Sequence, residues 1–377
     1  MKTVGIICEY NPFHNGHRRQ IQWIRDTYGQ DCAIVCLMSG NYVQRGTPAI
    51  VDKSIRARAA LLGGADLVLE LPTSVALSSA EGFAAGGVKI LSECCDALCC
   101  GVESMMEESL YQTAKALLSP DFSVFLKEEL STGCSFPAAR QAALRRMGLE
   151  RSLVTPNDIL GVEYTKAILN QNSPMEILPI PRQGDYHCDT LDSCAPSATA
   201  VRKALLLGDK WENAVPDSSV PLLKNASLHT LEAGERAILF KLRTMTDSEF
   251  ESIPHGSEGL WRKLMKASRS QKNLSDIINA TKSKRYTRTR IDRMILCAFL
   301  GITQTDLETL PDQIRVLGFT DRGRRVLRSH NCFRNAGEEI DETEQRLGSL
   351  YGLFCTDGTE PSDAEQKRRI IYLSEEK

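Results

Sequence analysis

The sequence lacks any apolar run long enough to cross a bilayer, and it lacks the apolar segment of a secretory signal. Its N-terminal apolar stretch meets Glu9 after a few residues. A membrane-spanning helix needs about 20 consecutive apolar residues, and a signal peptide carries an apolar core behind a basic start. The 377 residues are 42% hydrophobic and 25% charged, which is enough apolar material for a packed core. We therefore expect a soluble, cytoplasmic protein that contacts no membrane.

Paired CxxC spacing is also missing, although the chain has 13 cysteines. Two groups could be considered for a metal, namely Cys94, Cys95, Cys99 and Cys100, and His187, Cys188 and Cys194. Neither group has the ligand spacing of a structural zinc site. The cysteines lie in apolar runs of a chain without an export signal, which favours reduced and buried thiols over disulfides. We expect no bound metal.

The chain has no fixed-period repeat, no low-complexity tract and no large net charge. A formal charge of −2 and a pI near 6.4 do not by themselves indicate binding to nucleic acid. The local distribution does, because the segment from Trp261 to Arg293 contains eleven basic residues and only two acidic ones. Within it, Lys284, Arg285, Tyr286, Arg288 and Arg290 place an aromatic ring among cations, which suits phosphate contacts with base stacking. The alternative is a solvated helix face.

Hydrophobic periodicity predicts strands that alternate with helices. The predicted strands cover residues 3–8, 32–38, 66–71, 97–101 and 175–179, and helices lie between them. Such alternation implies right-handed βαβ crossovers and a parallel sheet. We predict an α/β domain with a Rossmann-like parallel sheet and a helical insertion at 1–208, a mostly α-helical, basic domain at 221–333, and a C-terminal appendage at 334–377.

The most specific local pattern is His14-Asn15-Gly16-His17, which follows the first strand and begins the first helix. Two imidazoles three residues apart can project toward one volume, where free backbone N–H groups and the helix dipole favour an anion. Gly16 removes a side chain that would keep a base or phosphate away from the backbone. Ligands of open α/β sheets bind at the carboxyl ends of strands, so we prefer a phosphate site to two capping or surface histidines.

A second pattern follows the last predicted strand of the sheet. Ser197 and Thr199 can cap a helix, and Arg202, one turn later, can pair with a phosphate. An ordinary capped helix is the alternative interpretation.

These two patterns resemble the HIGH-motif nucleotidyltransferase superfamily. In its members the two histidines contact the ATP phosphates and stabilise charge at the α-phosphorus, and a motif of the type Ser-Ser-Thr-x-Ile-Arg binds triphosphate. The resemblance assigns catalysis to His14 and His17 and places Gly16 against adenosine. Ala198 stands where the family often has a second hydroxyl, which leaves the contacts of the second motif less defined.

Six blocks in order make the chain similar to the family of bacterial tRNA(Met) cytidine acetate ligases. They are residues 5–17, 38–46, 66–72, 156–161, 284–291 and 315–323. Members activate acetate with ATP and acetylate N4 of the wobble cytidine of elongator tRNA(Met). The resemblance therefore implies ATP as substrate, Mg²⁺ bridging its phosphates, and acetate and elongator tRNA(Met) as partners. The oligomeric state is not indicated.

The resemblance also implies a set of nucleotide-binding residues. They are Ile7, Cys8, Glu9, Tyr10, Asn11, Pro12, Phe13, His14, Asn15, Gly16, His17, Arg18, Arg19, Gln20, Gly101, Asn157 and Arg182. From the residues alone, Asn157 could equally be a helix N-cap, Gly101 a turn glycine and Arg182 a surface arginine. Arg45, in the loop after the second strand, is a candidate partner for acetate or pyrophosphate.

Two other functions remain open at this point. One is an adenylyltransferase that acts on a small phosphorylated metabolite without RNA. The other is a nucleotide-sensing RNA-binding protein without turnover, against which the intact His14/His17 pair argues.

Overall fold

The computed structural model describes residues 1–149, 153, 155–181, 196–330, 333–334 and 342–374. Within these ranges, eight strands form one large sheet and two form a hairpin. In chain order they are β1 (Thr3–Cys8), β2 (Ala33–Ser39), β3 (Tyr42–Val43), β4 (Thr47–Pro48), β5 (Leu67–Leu71), β6 (Ala97–Val102), β7 (Glu176–Pro181), β8 (Ile314–Thr320), β9 (Phe333–Arg334) and β10 (Ile371–Leu373).

Five neighbouring strands of the large sheet are parallel. The sheet order is β10-β8-β5-β2-β1-β6-β7, with β9 beside β8, and β5 through β7 in this order run in one direction. Every residue of β2 and β5 is buried, as expected for parallel strands with helices on both faces. The α/β fold with a parallel sheet predicted from the sequence is therefore confirmed.

Helices make up most of the remaining described chain. They are α1 (Asn15–Tyr28), α2 (Lys53–Leu62), α3 (Thr73–Ala76), α4 (Ala80–Leu91), α5 (Glu107–Leu118), α6 (Pro120–Ser131), α7 (Phe136–Arg146), α8 (Pro156–Asn170), α9 (Ala198–Leu207), α10 (Val220–Lys224), α11 (Glu235–Thr244), α12 (Asp247–Glu251), α13 (Leu260–Ser270), α14 (Leu274–Thr281), α15 (Arg288–Leu300), α16 (Gln304–Glu308), α17 (Asp321–Arg328) and α18 (Glu342–Tyr351). Helices α5 to α7 are the predicted insertion. No helix of the described residues is both long and apolar enough to cross a membrane.

Alternating residues of the strands belong to two hydrophobic cores, one on each face of the sheet. Val35 and Leu69 point to the face covered by α4 and α8. Ile34 and Val68 point to the opposite face, where Ile24 of α1 packs. A third core lies among α11, α13, α14 and α15 in the helical region. The period of two along each strand thus divides the apolar residues between two helical layers.

Strand β8 was not predicted from the sequence, which indicated mainly helix in this part of the chain. It pairs antiparallel with β5, with Val68 opposite Gly318, and β10 extends the sheet beyond it. A short apolar run such as residues 314–320 fits a buried strand or a helix segment equally well. Its partner strand is remote in sequence, so only the tertiary contact decides between the two.

A buried cluster of charges joins the end of the chain to the sheet. Glu365 is 1% exposed and lies 2.8 Å from the Lys53 ammonium, which is also 2.6 Å from Glu70. Arg368 pairs with both Glu365 and Asp52. Burial alone would raise the pKa of Glu365, but Lys53 and the neighbouring arginines lower it to about 2. The C-terminal segment is therefore anchored by ion pairs as well as by β10.

Candidate active site

The histidine pattern lies at the carboxyl edge of the parallel strands, as the sequence indicated. His14 is the N-cap of α1 and is 2% exposed, and His17 lies one turn further. The His14 Nδ1 accepts a hydrogen bond from the Gly16 N–H, and the His17 Nδ1 accepts one from the His14 N–H. The two rings stack with centroids 3.6 Å apart. The pair is thus held by the start of the helix itself.

These hydrogen bonds fix the tautomer of both rings. An Nδ1 atom that accepts a hydrogen bond carries no proton, so the ring proton lies on Nε2. Each imidazole therefore presents an Nε2–H donor on the side away from its capping contact. Two stacked donors beside a helix N-terminus form a suitable environment for phosphate oxygens.

Aromatic packing supports the loop that carries the histidines. The Tyr10 ring is 4.9 Å from Phe13 and 4.7 Å from His17, and Tyr10 has a left-handed φ of 45°. Such a φ is strained for a residue with a large side chain and persists only where packing imposes it. Tyr10 and Phe13 are 1% exposed. Their rings therefore support the histidines through packing contacts.

Gly16 has a second role that the sequence did not reveal. A Cβ atom at this position would lie 2.9 Å from His14 Cε1 and 3.0 Å from His14 Nδ1. Any side chain would consequently push the His14 ring out of its stack. The absence of a side chain protects the imidazole as well as leaving the backbone open to a ligand.

The second pattern lies directly against the first. Ser197 caps α9 by accepting from the Ala200 N–H at 3.0 Å. The Arg202 guanidinium donates to the Asn11 carbonyl at 2.6 Å and to the Thr199 hydroxyl at 3.1 Å. Ser197 therefore caps the helix while Arg202 contacts the loop, so the two interpretations of this pattern are compatible. The cap orients α9 so that the Arg202 guanidinium reaches the loop that leads to His14.

Strand β6 and helix α8 supply another polar cluster at the same edge. Gly101 is half-buried in β6, and Glu103 follows that strand. The Glu103 carboxylate accepts from the Asn157 side chain at 2.5 Å and from the Asp158 N–H at 3.1 Å. Asn157 is not the N-cap of α8, because Thr155 occupies that position. Glu103 was not identified from the sequence, since nothing local links it to Asn157.

Asp158 holds the backbone that follows β6. Its carboxylate accepts from the N–H groups of Glu103 and Ser104, and it is completely buried. Although burial pushes its pKa upward, the hydrogen bonds from Ser104 and the backbone bring the pKa below the ordinary value. The turn that carries Glu103 is thereby fixed relative to α8.

The other predicted nucleotide-binding residues divide into buried supports and exposed side chains. Buried residues of this group are Cys8, Asn11 and Pro12, and burial raises the pKa of Cys8 well above its usual range. Arg18 and Arg19 are exposed on α1, and half-buried positions are Ile7, Glu9, Asn15 and Gln20. The Asn15 amide donates to the Asn213 carbonyl and the Gln20 amide to Cys99. Arg182 lies outside the described residues.

The loop after β2 packs against the helical region. The Gln44 N–H donates to Glu9, and Arg293 of α15 donates to the Gln44 carbonyl at 3.2 Å. Gly46 has a φ of 79°, and a Cβ there would lie 2.3 Å from the Arg293 backbone nitrogen. Arg45 is half-buried within this loop. The loop therefore connects the strand edge to the basic helices.

The basic region, residues 261–293, contains both exposed and internally paired cations. Lys284 is exposed, whereas Arg285 and Arg290 approach Glu258 at 3.0 and 4.0 Å, and Arg288 binds Asp292 at 2.9 Å. Tyr286 is 6% exposed and donates to the Glu258 carbonyl. The ring lies beneath Arg285 and Arg290, and its stacking on a base stays a prediction.

The cysteine group considered for a metal is buried around β6. The sulfur atoms of Cys94 and Cys95 are 3.7 Å apart, and Cys99 and Cys100 alternate along the strand. Burial raises the pKa values of Cys95, Cys99 and Cys100, which disfavours the thiolate that a metal needs. The second group, His187, Cys188 and Cys194, lies outside the described residues. That neither group binds a metal stays a prediction.

Comparison with known proteins identifies the family. Residues 1–338 match the family model described as HIGH Nucleotidyl Transferase. The chain is 40% identical to the tRNA(Met) cytidine acetate ligase of Thermosipho melanesiensis, over 87% of this chain and 81% of that protein. It is 35% identical to the enzyme of the same name from Acetivibrio thermocellus, over 87% of this chain and 85% of that protein.

A solved structure gives the same result. The Thermotoga maritima protein TmcAL, crystallised with alpha-thio ATP, superposes with a TM-score of 0.87 at 30% identity, covering 99% of this chain and all of that one. The fold, the two polar patterns at the strand edge and the similarity over most of the length agree. This chain belongs to the tRNA(Met) cytidine acetate ligase family of HIGH nucleotidyl transferases.

Proposed function

We propose that this chain is an ATP-dependent ligase that acetylates N4 of the wobble cytidine of elongator tRNA(Met). One observation carries the proposal. Arg202, far away in sequence, donates a hydrogen bond to the Asn11 carbonyl, in the loop that leads from β1 to the stacked His14 and His17. The names of the relatives support the substrates, and the alpha-thio ATP of the Thermotoga structure supports a nucleotide at this fold.

The first step is the activation of acetate. A carboxylate oxygen of acetate attacks the α-phosphorus of ATP, the bond to the β-phosphate oxygen breaks, and pyrophosphate leaves with its electron pair. The product is acetyl-adenylate. The Nε2–H groups of His14 and His17 and the Arg202 guanidinium stabilise the charge that develops on the phosphate oxygens. No covalent bond to the protein forms, so catalysis consists of positioning and electrostatic stabilisation.

The second step transfers the acetyl group. The cytidine N4 amine attacks the carbonyl carbon of acetyl-adenylate, AMP leaves, and the amine loses a proton. AMP is a far better leaving group than oxide, which is why the carboxylate must first be activated. The target base must be unstacked to reach the adenylate, and an anticodon wobble base satisfies this condition at little cost.

Mg²⁺ that accompanies ATP would be bound mainly by phosphate oxygens and water. Among the described residues, no group of converging carboxylates lies at the strand edge, and Glu9 and Glu103 already accept hydrogen bonds from the protein. This ion commonly retains several waters and is held through substrate phosphates. Mg²⁺ would supply charge neutralisation of the triphosphate, while the protein groups hold the α-phosphate.

The nucleotide-binding residues of this proposal are those at the strand edge. They are Ile7 to Gln20, Gly101, Asn157, Arg182, Ser197, Thr199 and Arg202. Glu103 joins them as the residue that orients the Asn157 amide. Arg45 stays a candidate for acetate or pyrophosphate, because its loop follows β2 at the same edge.

The division of labour assigns the adenylate to residues 1–208 and tRNA to the basic helical region at 221–333, with 334–377 as a C-terminal segment. Lys284, Arg285, Arg288 and Arg290 are the proposed phosphate contacts. Arg293 belongs to the interior, since it is 8% exposed, and this burial lowers its pKa to about 10. The contact between Arg293 and the loop after β2 supports a path from the bound tRNA to the adenylate.

Mass analysis of tRNA nucleosides tests this proposal. Purified protein is incubated with ATP, isotopically labelled acetate and elongator tRNA(Met), and the digested nucleosides are then measured. We expect labelled N4-acetylcytidine that requires both ATP and acetate. Labelled acetate that never enters the tRNA would contradict the proposal.

ATP–pyrophosphate exchange separates the alternatives. Exchange that depends on acetate fits the ligase, whereas exchange that depends on a mononucleotide or phosphopantetheine fits an adenylyltransferase of small metabolites. A protein without exchange and without release of AMP in a single turnover would be a nucleotide-sensing RNA-binding protein.

A further inference from the structure

Three potential metal ligands converge at a place unrelated to the nucleotide site. His229 and Cys355 face each other in an isolated antiparallel bridge. Backbone hydrogen bonds from Thr230 to Phe354 and from Thr356 to Leu228 hold this bridge on both sides. The chain then turns back, and the Glu360 N–H donates to the Gly352 carbonyl. The imidazole, the thiol and the carboxylate are thereby brought to one point.

The ligand atoms of these three groups lie close enough together to contact one ion. One ligand atom from each residue lies within 4.8 Å of the other two. His229 is 2% exposed and Cys355 is 8% exposed, whereas the Glu360 side chain is 30% exposed. The site is therefore closed on the side of the imidazole and thiol and open to solvent beside the carboxylate.

The contact between the imidazole and the carboxylate is not a hydrogen bond. His229 Nε2 and Glu360 Oε1 are 3.3 Å apart, yet neither ring nitrogen of His229 has a hydrogen-bond partner among the described residues. A buried polar group without a partner is costly and demands an explanation. A cation bound by both atoms would satisfy the imidazole nitrogen and the carboxylate oxygen together.

The spacing agrees with tetrahedral coordination. Two ligand atoms that each lie about 2.0–2.1 Å from a tetrahedral Zn²⁺ are separated by about 3.3–3.4 Å. The distance of 3.3 Å between the His229 nitrogen and the Glu360 oxygen is within this range. Imidazole, thiolate and carboxylate together also match the borderline-soft character of Zn²⁺.

We infer that His229, Cys355 and Glu360 bind Zn²⁺, with water as the fourth ligand on the exposed side. Binding requires the thiolate, so the Cys355 thiol releases one proton to solvent as the Zn–S bond forms. The Tyr351 ring stacks on His229 with centroids 4.0 Å apart and a plane angle of 13°, which fixes the orientation of the imidazole.

The ion would join three parts of the chain. The Tyr351 hydroxyl donates to the Ala49 carbonyl, and the His229 N–H donates to the Ile50 carbonyl. The Ile50 N–H in turn donates to the Asn11 side chain at 2.7 Å. Zn²⁺ would therefore fasten the C-terminal segment to Ala49 and Ile50, which follow β4 and contact Asn11, and its expected effect is on stability rather than on the chemical step.

Titration with Co²⁺ under anaerobic conditions tests the inference directly, because Co²⁺ replaces Zn²⁺ and reports its ligands by absorption. The full chain, freed of metal with a chelator, should bind one equivalent of Co²⁺ with a sulfur-to-cobalt charge-transfer band and the intense d–d bands of tetrahedral geometry. Zn²⁺ should displace it. Elemental analysis of protein purified without chelator should give one equivalent of zinc.

Variants identify the ligands and control for misfolding. Cys355→Ser should abolish the charge-transfer band, whereas Cys134→Ser, at a half-buried cysteine outside the cluster, should keep it. Glu360→Gln changes a partly exposed side chain and should therefore fold. It should keep the band but weaken binding by more than the roughly 10–100-fold typical of outer-shell changes. A wild-type protein that gives no charge-transfer band, or a band that persists in Cys355→Ser, would overturn the inference.

Discussion

The polar side chains at the strand edge and those in the basic region are held in place by different interactions. We call residues 9–17 the nucleotide loop. In that loop the His14 and His17 nitrogens are fixed by the N–H groups of their own helix, and Arg202 is fixed by the Asn11 carbonyl. In the basic region, Arg285, Arg288 and Arg290 are paired with carboxylates, and Lys284 extends into solvent.

This difference indicates two kinds of recognition. Preorganised donors directed at one point stabilise a charge that develops there, and they need little reorganisation during the reaction. Exposed and loosely paired cations can instead adjust to the phosphate backbone of a flexible nucleic acid. Their contribution to binding depends on the salt concentration. The nucleotide loop therefore suits the chemical step, and the basic region suits the capture of a large RNA. The predictions below test this contrast, from the largest expected effect to the smallest.

The largest effect is expected for the histidine pair. His14→Ala or His17→Ala should lower acetate-dependent ATP–pyrophosphate exchange by about 10²–10³-fold, because each removes one preorganised donor. His330→Ala, at a histidine after α17 that bonds the Val326 carbonyl, is the matched control and should exchange normally. Near-normal exchange in both single variants would show that the pair does not act on the phosphate.

A smaller effect is expected for Glu103. Glu103→Gln keeps the shape but loses the carboxylate that accepts from both Asn157 and Asp158. Hydrogen bonds to charged groups contribute about 1.5–3 kcal/mol, so KM for ATP should rise about tenfold while kcat changes little. Glu107→Gln, on the exposed side of α5, should behave as wild type. An unchanged KM would mean that Glu103 only closes the turn after β6.

Substitutions in the basic region should change the salt dependence of tRNA binding and should not abolish a chemical step. Replacing the exposed Lys282 and Lys284 by Ala should weaken tRNA binding and flatten its log–log salt dependence by about 0.7–0.9 for each lost phosphate contact. Lys127→Ala removes an exposed charge on α6 instead and serves as control. Filter binding at several salt concentrations gives the slopes. Equal slopes in wild type and double variant would place the RNA surface elsewhere.

The smallest effect concerns stability in acid. His255 bonds the Leu77 carbonyl, and burial, followed by the nearby Arg293, lowers its pKa to about 4. An unfolded histidine titrates near 6.5, so between these values the unfolded chain binds more protons and stability falls as pH falls. Denaturant titrations should show about 2 kcal/mol lost between pH 7 and pH 5. His255→Gln should have a flatter dependence, and an unchanged one would contradict the assignment.

The sequence was sufficient to predict structural features that depend on residues close together in the chain. The strands ending at Cys8 and Ser39, the helix start at His14 and the cap at Ser197 follow from period and capping chemistry, and the structure has them within a residue or two. Six blocks of resemblance extended these local features to a family. In this part of the molecule, local preference and tertiary structure agree.

Contacts between residues that are remote in sequence could not be predicted from the sequence. The antiparallel strand β8, the Glu103–Asn157 hydrogen bond and the meeting of His229 with Cys355 join segments that no period connects. The burial of Tyr286 was missed for a related reason. A tyrosine among cations is compatible with a surface or with a core, and only the packing against Glu258 decides.

One measurement tests the central claim, that adenylate formation and tRNA capture belong to different regions. Acetate-dependent ATP–pyrophosphate exchange and tRNA acetylation are followed in parallel in a variant with Lys284, Arg285, Arg288 and Arg290 replaced by Ala. The account predicts exchange close to wild type together with a severe loss of acetylation at physiological salt. Exchange reports on the folded nucleotide site and so controls for unfolding. Loss of both activities together, or full retention of acetylation, would contradict the account.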